Sequence, residues 1–234
     1  MNLIELRNLY RITLNDFSIR ESDYHLNILL NEYFNLDFTF ININPAYKLE
    51  ESQINKILKS LDKLKNNYPI DYLINKKLFL DNEFYVNEDV LIPRPETEEL
   101  VNWILEVNRE IKDKKRVIDI ATGSGCIAIS LSFYNKYFET VGVDISRKAL
   151  DVCKINKKRI SSKVNFSEYD IREEKIFSKK FDIIVSNPPY LTLNETLTIG
   201  DNVKFEPKIA LFAPLEDPLL YYKKIINFSK INLN

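Results

Sequence analysis

Apolar residues recur at helical spacing through the first third of the chain. Leu3, Leu6, Leu9 and Tyr10 form one stripe. Leu26, Leu29, Leu30 and Tyr33 form a second, and Ile54, Ile57, Leu58, Leu61 and Leu64 a third, in a helix predicted to start near Glu50. Short helices with single apolar stripes must cover one another, so residues 1–75 are expected to form a small helical bundle. The period then changes. Lys77-Leu78-Phe79-Leu80 and Phe84-Tyr85-Val86, split by Asp81-Asn82-Glu83, predict a β-hairpin inside a linker of residues 76–95. Val90-Leu91-Ile92 then runs into Pro93-Arg94-Pro95-Glu96-Thr97-Glu98. The acidic residues suit the first turn of a helix carrying Leu100, Val101, Ile104 and Leu105.

From Arg116 onward the predicted order is strand, helix, strand, helix, strand, strand. Val117-Ile118-Asp119-Ile120 is the first strand, and Ile127, Leu131 and Tyr134 mark the helix after it. Thr140-Val141-Gly142-Val143 is the second strand. Ser146 can N-cap a helix carrying Ala149, Leu150 and Cys153. Val164-Asn165-Phe166 is a weak third strand, Phe181-Asp182-Ile183-Ile184-Val185-Ser186 a fourth, and a last helix covers about 217–229. Alternating β and α implies an α/β domain over residues 96–234, with a mostly parallel sheet and right-handed crossovers.

Size and composition narrow the function. A chain of 234 residues with 45% hydrophobic content holds one α/β domain plus a small appended one. A net charge of −1 lacks the basic footprint of a nucleic-acid binder, so direct nucleic-acid binding is not expected. The start of the chain has no basic segment followed by an apolar block, and no apolar run approaches the ~18 residues of a membrane span. A soluble cytoplasmic protein without a membrane partner is expected. Cys126 and Cys153 lack metal or redox spacing and read as small core residues. His25, the only histidine, lies on an amphipathic helix, so neither a histidine base nor a metal is expected in the chemistry.

Two loops carry the candidate chemistry. Ala121-Thr122-Gly123-Ser124-Gly125 follows the first strand directly, where glycines let the backbone approach a ligand closely. Asp144 ends the second strand about 20 residues on, where a carboxylate can accept ribose hydroxyls. Asp170 follows the third strand, where a side chain could meet an adenine. S-adenosylmethionine fits this layout. So does a dinucleotide, because Gly123-Ser124-Gly125-Cys126-Ile127-Ala128 also satisfies G-x-G-x-x-A. The loop after the fourth strand separates the two. Asn187-Pro188-Pro189-Tyr190 is stiffened by prolines that remove two backbone donors, leaving mainly acceptors at the carboxyl end of a strand. Acceptors grip an –NH2 group, which suits methyl transfer and has no evident place in hydride transfer.

The tetrapeptide resembles the Asn-Pro-Pro-Tyr of methyltransferases that act on amide or exocyclic amino nitrogens. The series is longer than that. Pro69-Ile70-Asp71-Tyr72-Leu73, Phe79, Val90 to Glu98, Thr122 to Ala128 and Asn187 to Tyr190 follow in one order. Together they resemble the peptide chain release factor glutamine methyltransferases (the HemK/PrmC family), from the N-terminal helices to the last residues present. The Ile-Pro-Arg-Pro-Glu-Thr-Glu stretch is the specific part; the glycine loop is not.

The resemblance implies a class I methyltransferase, Rossmann-like fold, with a helical substrate-recognition domain at the N-terminus. It implies methylation of the glutamine in the Gly-Gly-Gln motif of release factors. Ala121, Thr122, Gly123, Ser124 and Gly125 would hold the methionine end of S-adenosylmethionine, Asp144 the ribose, and Asp170 and Ile171 the adenine. Asn187 would border both ligands. Asn187 and the Pro188 carbonyl would accept the glutamine –NH2 beside Pro189, with Tyr190 packed on the amide. Arg94 would help to recognise the release factor or form an ion pair in the hinge. Rival readings are methylation of a ribosomal-protein glutamine or a nucleic-acid adenine, and a non-catalytic remnant that still binds a partner.

Several family glycines are replaced. Ala121 stands at the first loop glycine and Asn75 at the one after Asp71-Tyr72, while Ala213 and Pro218 replace glycines near the matching Phe205-Glu206-Pro207 and Ala210-Leu211. The family also continues past Asn234 into further strands. The chain therefore reads as C-terminally truncated, its fourth strand an uncovered apolar edge. A monomer is expected unless that edge associates.

Overall fold

The computed structural model describes residues 1–192, 195 and 200–234. It divides into two compact units, Met1–Ile74 and Asn75–Asn234.

The first unit is all helical: α1 (Leu3–Thr13), α2 (Ile19–Phe34), α3 (Phe38–Ile43), α4 (Glu51–Lys65) and α5 (Ile70–Ile74). The expected stripes supply its core, with Leu6, Leu29, Leu30 and Ile57 fully buried. Asn2 and Ser18 build capping boxes with Glu5 and Glu21, which satisfy backbone donors left open at helix starts. The short α3 and α5 lack a full apolar stripe, so periodicity does not reveal them. Asp37 caps α3 by accepting the Phe40 N–H at 2.7 Å. His25 packs edge-on against Phe17, ring centres 5.2 Å apart, and burial holds its pKa below the usual imidazole value.

The second unit starts with a hairpin, β1 (Lys77–Phe79) and β2 (Asn82–Phe84). Phe79 pairs with Asn82, so the turn is Leu80-Asp81 and not the expected Asp81-Asn82-Glu83. Leu80 adopts φ +51, and Glu98 accepts its N–H at 3.1 Å. That tertiary bond, invisible to turn propensity, holds a leucine where glycine or asparagine is the usual choice.

Next come α6 (Pro95–Val107), β3 (Lys115–Ile120), α7 (Cys126–Tyr134), β4 (Phe138–Asp144), α8 (Arg147–Arg159), β5 (Asn165–Glu168) and β6 (Ile183–Ser186). A short α9 (Lys208–Leu211) and a final α10 (Leu220–Asn232) follow. The sheet order is β5-β4-β3-β6, all parallel, with Ile120 beside Val143 on one side and Ser186 on the other. Successive β3 residues face opposite layers. Val117 packs with Val101, Ile127 and Leu131, whereas Ile118 and Ile120 pack with Tyr169, Phe181 and Phe228 of the α10 side. Phe177 sits at the centre of that second layer, its ring within 6.0 Å of those of Tyr169, Phe181 and Phe228. Cys126 and Cys153 are buried. Among the described residues no helix is long and apolar enough to cross a membrane.

Two expectations about the end of the chain change. The last helix starts at Leu220, because Asp217 first closes a turn, its side chain accepting the Leu219 N–H at 3.2 Å. The outer edge of the fourth strand is not wholly uncovered. Leu233 forms a parallel bridge to Phe181, whose N–H donates to the Asn232 carbonyl at 2.8 Å and whose carbonyl accepts from Asn234 at 2.9 Å.

Candidate active site

Strands β3, β4 and β5 progress in one direction across the sheet, and β6 lies on the other side of β3. This reversal opens a crevice at the carboxyl ends of the strands. A cavity of about 240 Å³ lies there. Ala121, Thr122, Gly123 and Ser124 reach it from the loop after β3, Asp144 from the end of β4, and Asp170 and Ile171 from the loop after β5. Asn187, Pro188 and Pro189 reach it from the loop after β6, and Arg94 from the start of α6. Gly125 and Tyr190 are not among the lining residues. Gly125, at φ +81, caps α7 and faces inward, with Phe166 at 3.0 Å from where a Cβ would sit. Tyr190 is 55% exposed.

The glycine loop is held from beneath. Asp119 is fully buried, and its Oδ2 accepts the Thr122 hydroxyl and, at 3.2 Å, the Ala128 N–H, while Oδ1 has no partner among the described residues. Burial pushes its pKa up to about 7. Asn156 holds the loop from α8. Its Nδ2 donates to the carbonyls of Ser124 at 2.9 Å and Tyr85 at 3.0 Å, and its Oδ1 accepts the Tyr85 N–H at 2.6 Å. Sequence inspection passes over Asn156, since an asparagine on a Lys-rich helix looks like solvated surface.

Within the loop, Gly123 has φ +57 and its missing Cβ would meet nothing within 4 Å among the described residues. The backbone there faces open space, as a ligand cradle requires. Ala121 has φ +57 as well, and Asn75 φ +51. Two of the replaced glycines therefore sit in left-handed backbone. Asparagine tolerates it, and Asn75 gains a bond from Nδ2 to the Val86 carbonyl at 3.0 Å. Alanine has no such compensation. Ala121→Gly is expected to raise stability by about 1 kcal/mol, read as a thermal midpoint higher by roughly 2–4 °C. An unchanged or lower midpoint would count against strain at this position. Ala213 and Pro218 are not among the residues with positive φ.

The acidic residues differ in surroundings. Asp144 Oδ2 accepts the Gly123 N–H and Oδ1 the Ser146 N–H, both at 2.9 Å. Burial nonetheless raises its pKa above the usual carboxylate value. Each oxygen retains a lone pair for a further donor. Asp170 is forked by Arg172 at 2.6–2.9 Å, and these bonds hold its pKa low.

The β6 loop is fastened where it leaves the strand. The Ser186 hydroxyl donates to the Ile120 carbonyl at 2.6 Å, and Asn187 Nδ2 donates to Thr97 Oγ1 at 3.1 Å. Thr97 lines the cavity and is 6% exposed. Arg94 reaches the other wall, its guanidinium 2.5 Å from Glu206, whose side chain is fully buried. The same carboxylate accepts the Ile92 N–H at 3.2 Å. Leu191 and Ala213 hydrogen-bond through their backbones, the Leu191 N–H to Leu211 at 3.0 Å and the Ala213 N–H to Leu191 at 2.9 Å. The 205–213 segment is thereby tied to the Asn-Pro-Pro-Tyr loop.

Residues 99–203 match the model of the methyltransferase small domain family. The chain is 38% identical over 221 residues to the release factor glutamine methyltransferase of Flavobacterium psychrophilum, covering 93% of this chain and 78% of that protein. It is 36% identical to the enzyme of the same name from Mycoplasma mycoides, covering 99% and 82%. The chain belongs to the release factor glutamine methyltransferase family. A member from Clostridium acetobutylicum is 37% identical, over 97% of this chain and 79% of that one. As a member, the protein is a methyltransferase enzyme, and its parallel sheet is that of a class I methyltransferase.

Proposed function

We propose that this family member transfers a methyl group from S-adenosylmethionine to the side-chain amide nitrogen of the glutamine in the Gly-Gly-Gln motif of peptide chain release factors. The observation that carries the reading is the convergence on one cavity of the open Gly123 backbone, the Asp144 carboxylate and the acceptor loop at Asn187 and Pro188. The names of relatives at 36–38% identity support the substrate.

The residues present fit the cofactor. The 121–125 loop would take its methionine end, Asp144 its ribose hydroxyls, and Asp170 with Ile171 its adenine. When bound, it supplies an electrophilic methyl group on a sulfonium. The chain's own residues do the rest. An amide nitrogen is a poor nucleophile because its lone pair is delocalised. Asn187 Oδ1 and the Pro188 carbonyl accept its two hydrogens and aim the nitrogen into the cavity, which is catalysis by positioning. The same oxygens stabilise positive charge growing on nitrogen, which is discharged when one of the two hydrogens leaves as a proton to water as the N–C bond forms. Tyr190, exposed at 55%, is available to pack on the arriving amide. Residues 1–75 would recognise the release factor, residues 76–95 link them to the catalytic domain, and residues 96–234 form that domain.

The test is tritiated methyl transfer with purified release factors, ribosomes and DNA offered side by side. Label on the release factor glutamine is expected. Label confined to ribosomes or DNA would refute the substrate assignment.

A further inference from the structure

The two ends of an asparagine carboxamide have the same shape, so packing cannot decide which end faces a substrate; only hydrogen bonds can. The proposed clamp needs Oδ1 of Asn187 turned to the substrate –NH2, with Nδ2 turned away. The structure shows a partner on the far side, since Nδ2 donates to Thr97 Oγ1 at 3.1 Å. We infer that Thr97 is a positioning residue for methyl transfer, its hydroxyl oxygen holding the Asn187 carboxamide with the acceptor end towards the substrate. The inference rests on the clamp reading above and adds to it a residue on a different element.

Thr97 is well placed to act as a fixed point. It lies in the first turn of α6, with Pro95 as the first helical residue and Arg94 as the N-cap. Proline at that position locks φ and pre-forms the turn. The Thr97 N–H donates to the Arg94 carbonyl at 3.0 Å, and the residue is 6% exposed. A hydroxyl on a locked, buried turn has little freedom to follow a wandering partner. Without it, the end of the Asn187 carboxamide turned to position 97 lacks a partner in both orientations, so the productive one is no longer favoured over the one with Nδ2 turned to the cavity. That second orientation presents a donor to a donor and cannot grip the substrate amide.

The experiment compares Thr97→Val, Thr97→Ala and Thr97→Ser with Asn187→Ala and the Thr97→Val/Asn187→Ala double variant. Steady-state methylation of a purified release factor is the readout, with calorimetric binding of S-adenosylmethionine and thermal midpoints alongside. Both Val and Ala are expected to lower kcat about tenfold with little change in KM or cofactor affinity, and Ser to restore it. The double variant should be no slower than Asn187→Ala alone, because the threonine acts only through the asparagine. A structural role would instead lower the midpoint of the Ala variant without splitting kcat from KM. The inference is overturned if Asn187→Ala is inactive while Thr97→Val and Thr97→Ala keep kcat within twofold of the parent. Near-full activity of Asn187→Ala would instead remove the clamp reading, and the inference with it.

Discussion

Replacing Asn187 by alanine is expected to lower methylation of a release factor by roughly 10²–10³-fold in kcat, with S-adenosylmethionine binding nearly unchanged. The magnitude follows from losing one preorganised group aimed at charge that develops in the transition state. The Pro188 carbonyl, the second proposed acceptor, would remain, but one contact would leave the nitrogen free to rotate off line. Cofactor binding persists because the groups proposed to hold the methionine, ribose and adenine lie on other loops. Those loops have their own anchors: Asp119 and Asn156 under the 121–125 loop, and the bonds from Gly123 and Ser146 at Asp144. Radiolabel transfer gives kcat, and titration calorimetry gives the cofactor affinity. A variant with most of its turnover intact would show that the Asn-Pro-Pro loop does not hold the reacting amide.

Arg94→Ala is expected to destabilise the protein by about 3 kcal/mol, lowering the thermal midpoint by roughly 6–12 °C. The Glu206 side chain is wholly buried and Arg94 lies 2.5 Å from it, 32% exposed. Removing one partner of a buried pair costs about 3–5 kcal/mol because the other charge stays behind in low dielectric. The partial exposure of Arg94 puts the effect at the lower end. Glu206 also accepts the Ile92 N–H, so the loss should spread to the segments around Ile92 and Glu206 and reduce activity further. Arg94→Lys, which keeps a cation within reach, should recover part of the stability. Thermal unfolding of the three proteins decides the matter; a midpoint for Arg94→Ala within 2 °C of the parent would mean that the ion pair contributes little.

Much of this architecture was readable from local pattern. The three apolar stripes at the N-terminus correspond to α1, α2 and α4, the acidic Glu96 and Glu98 lie in the first turn of α6, and Ser146 marks where α8 begins. The strand, helix, strand order gave the parallel sheet. Such features depend on residues a few positions apart: i to i+4 on a helix, alternate residues on a strand, a hydroxyl beside its own cap. The Leu80-Asp81 turn escaped the same logic because its stabilising partner, Glu98, belongs to another element.

The sequence by itself determined the type and order of the longer elements and the two loops at strand ends, because short-range sterics and hydrophobic period dictate those. Only the tertiary structure decided that Thr97 faces Asn187 across 90 residues and that Arg94 faces Glu206 across 112. It also decided that Ala121 takes a left-handed backbone and that the 121–125 loop is fastened to α8 through Asn156. These partners meet because β6 inserts beside β3, out of sequence order, and because buried polar groups must find partners wherever folding brings them together. Neither condition leaves a periodic trace along the chain.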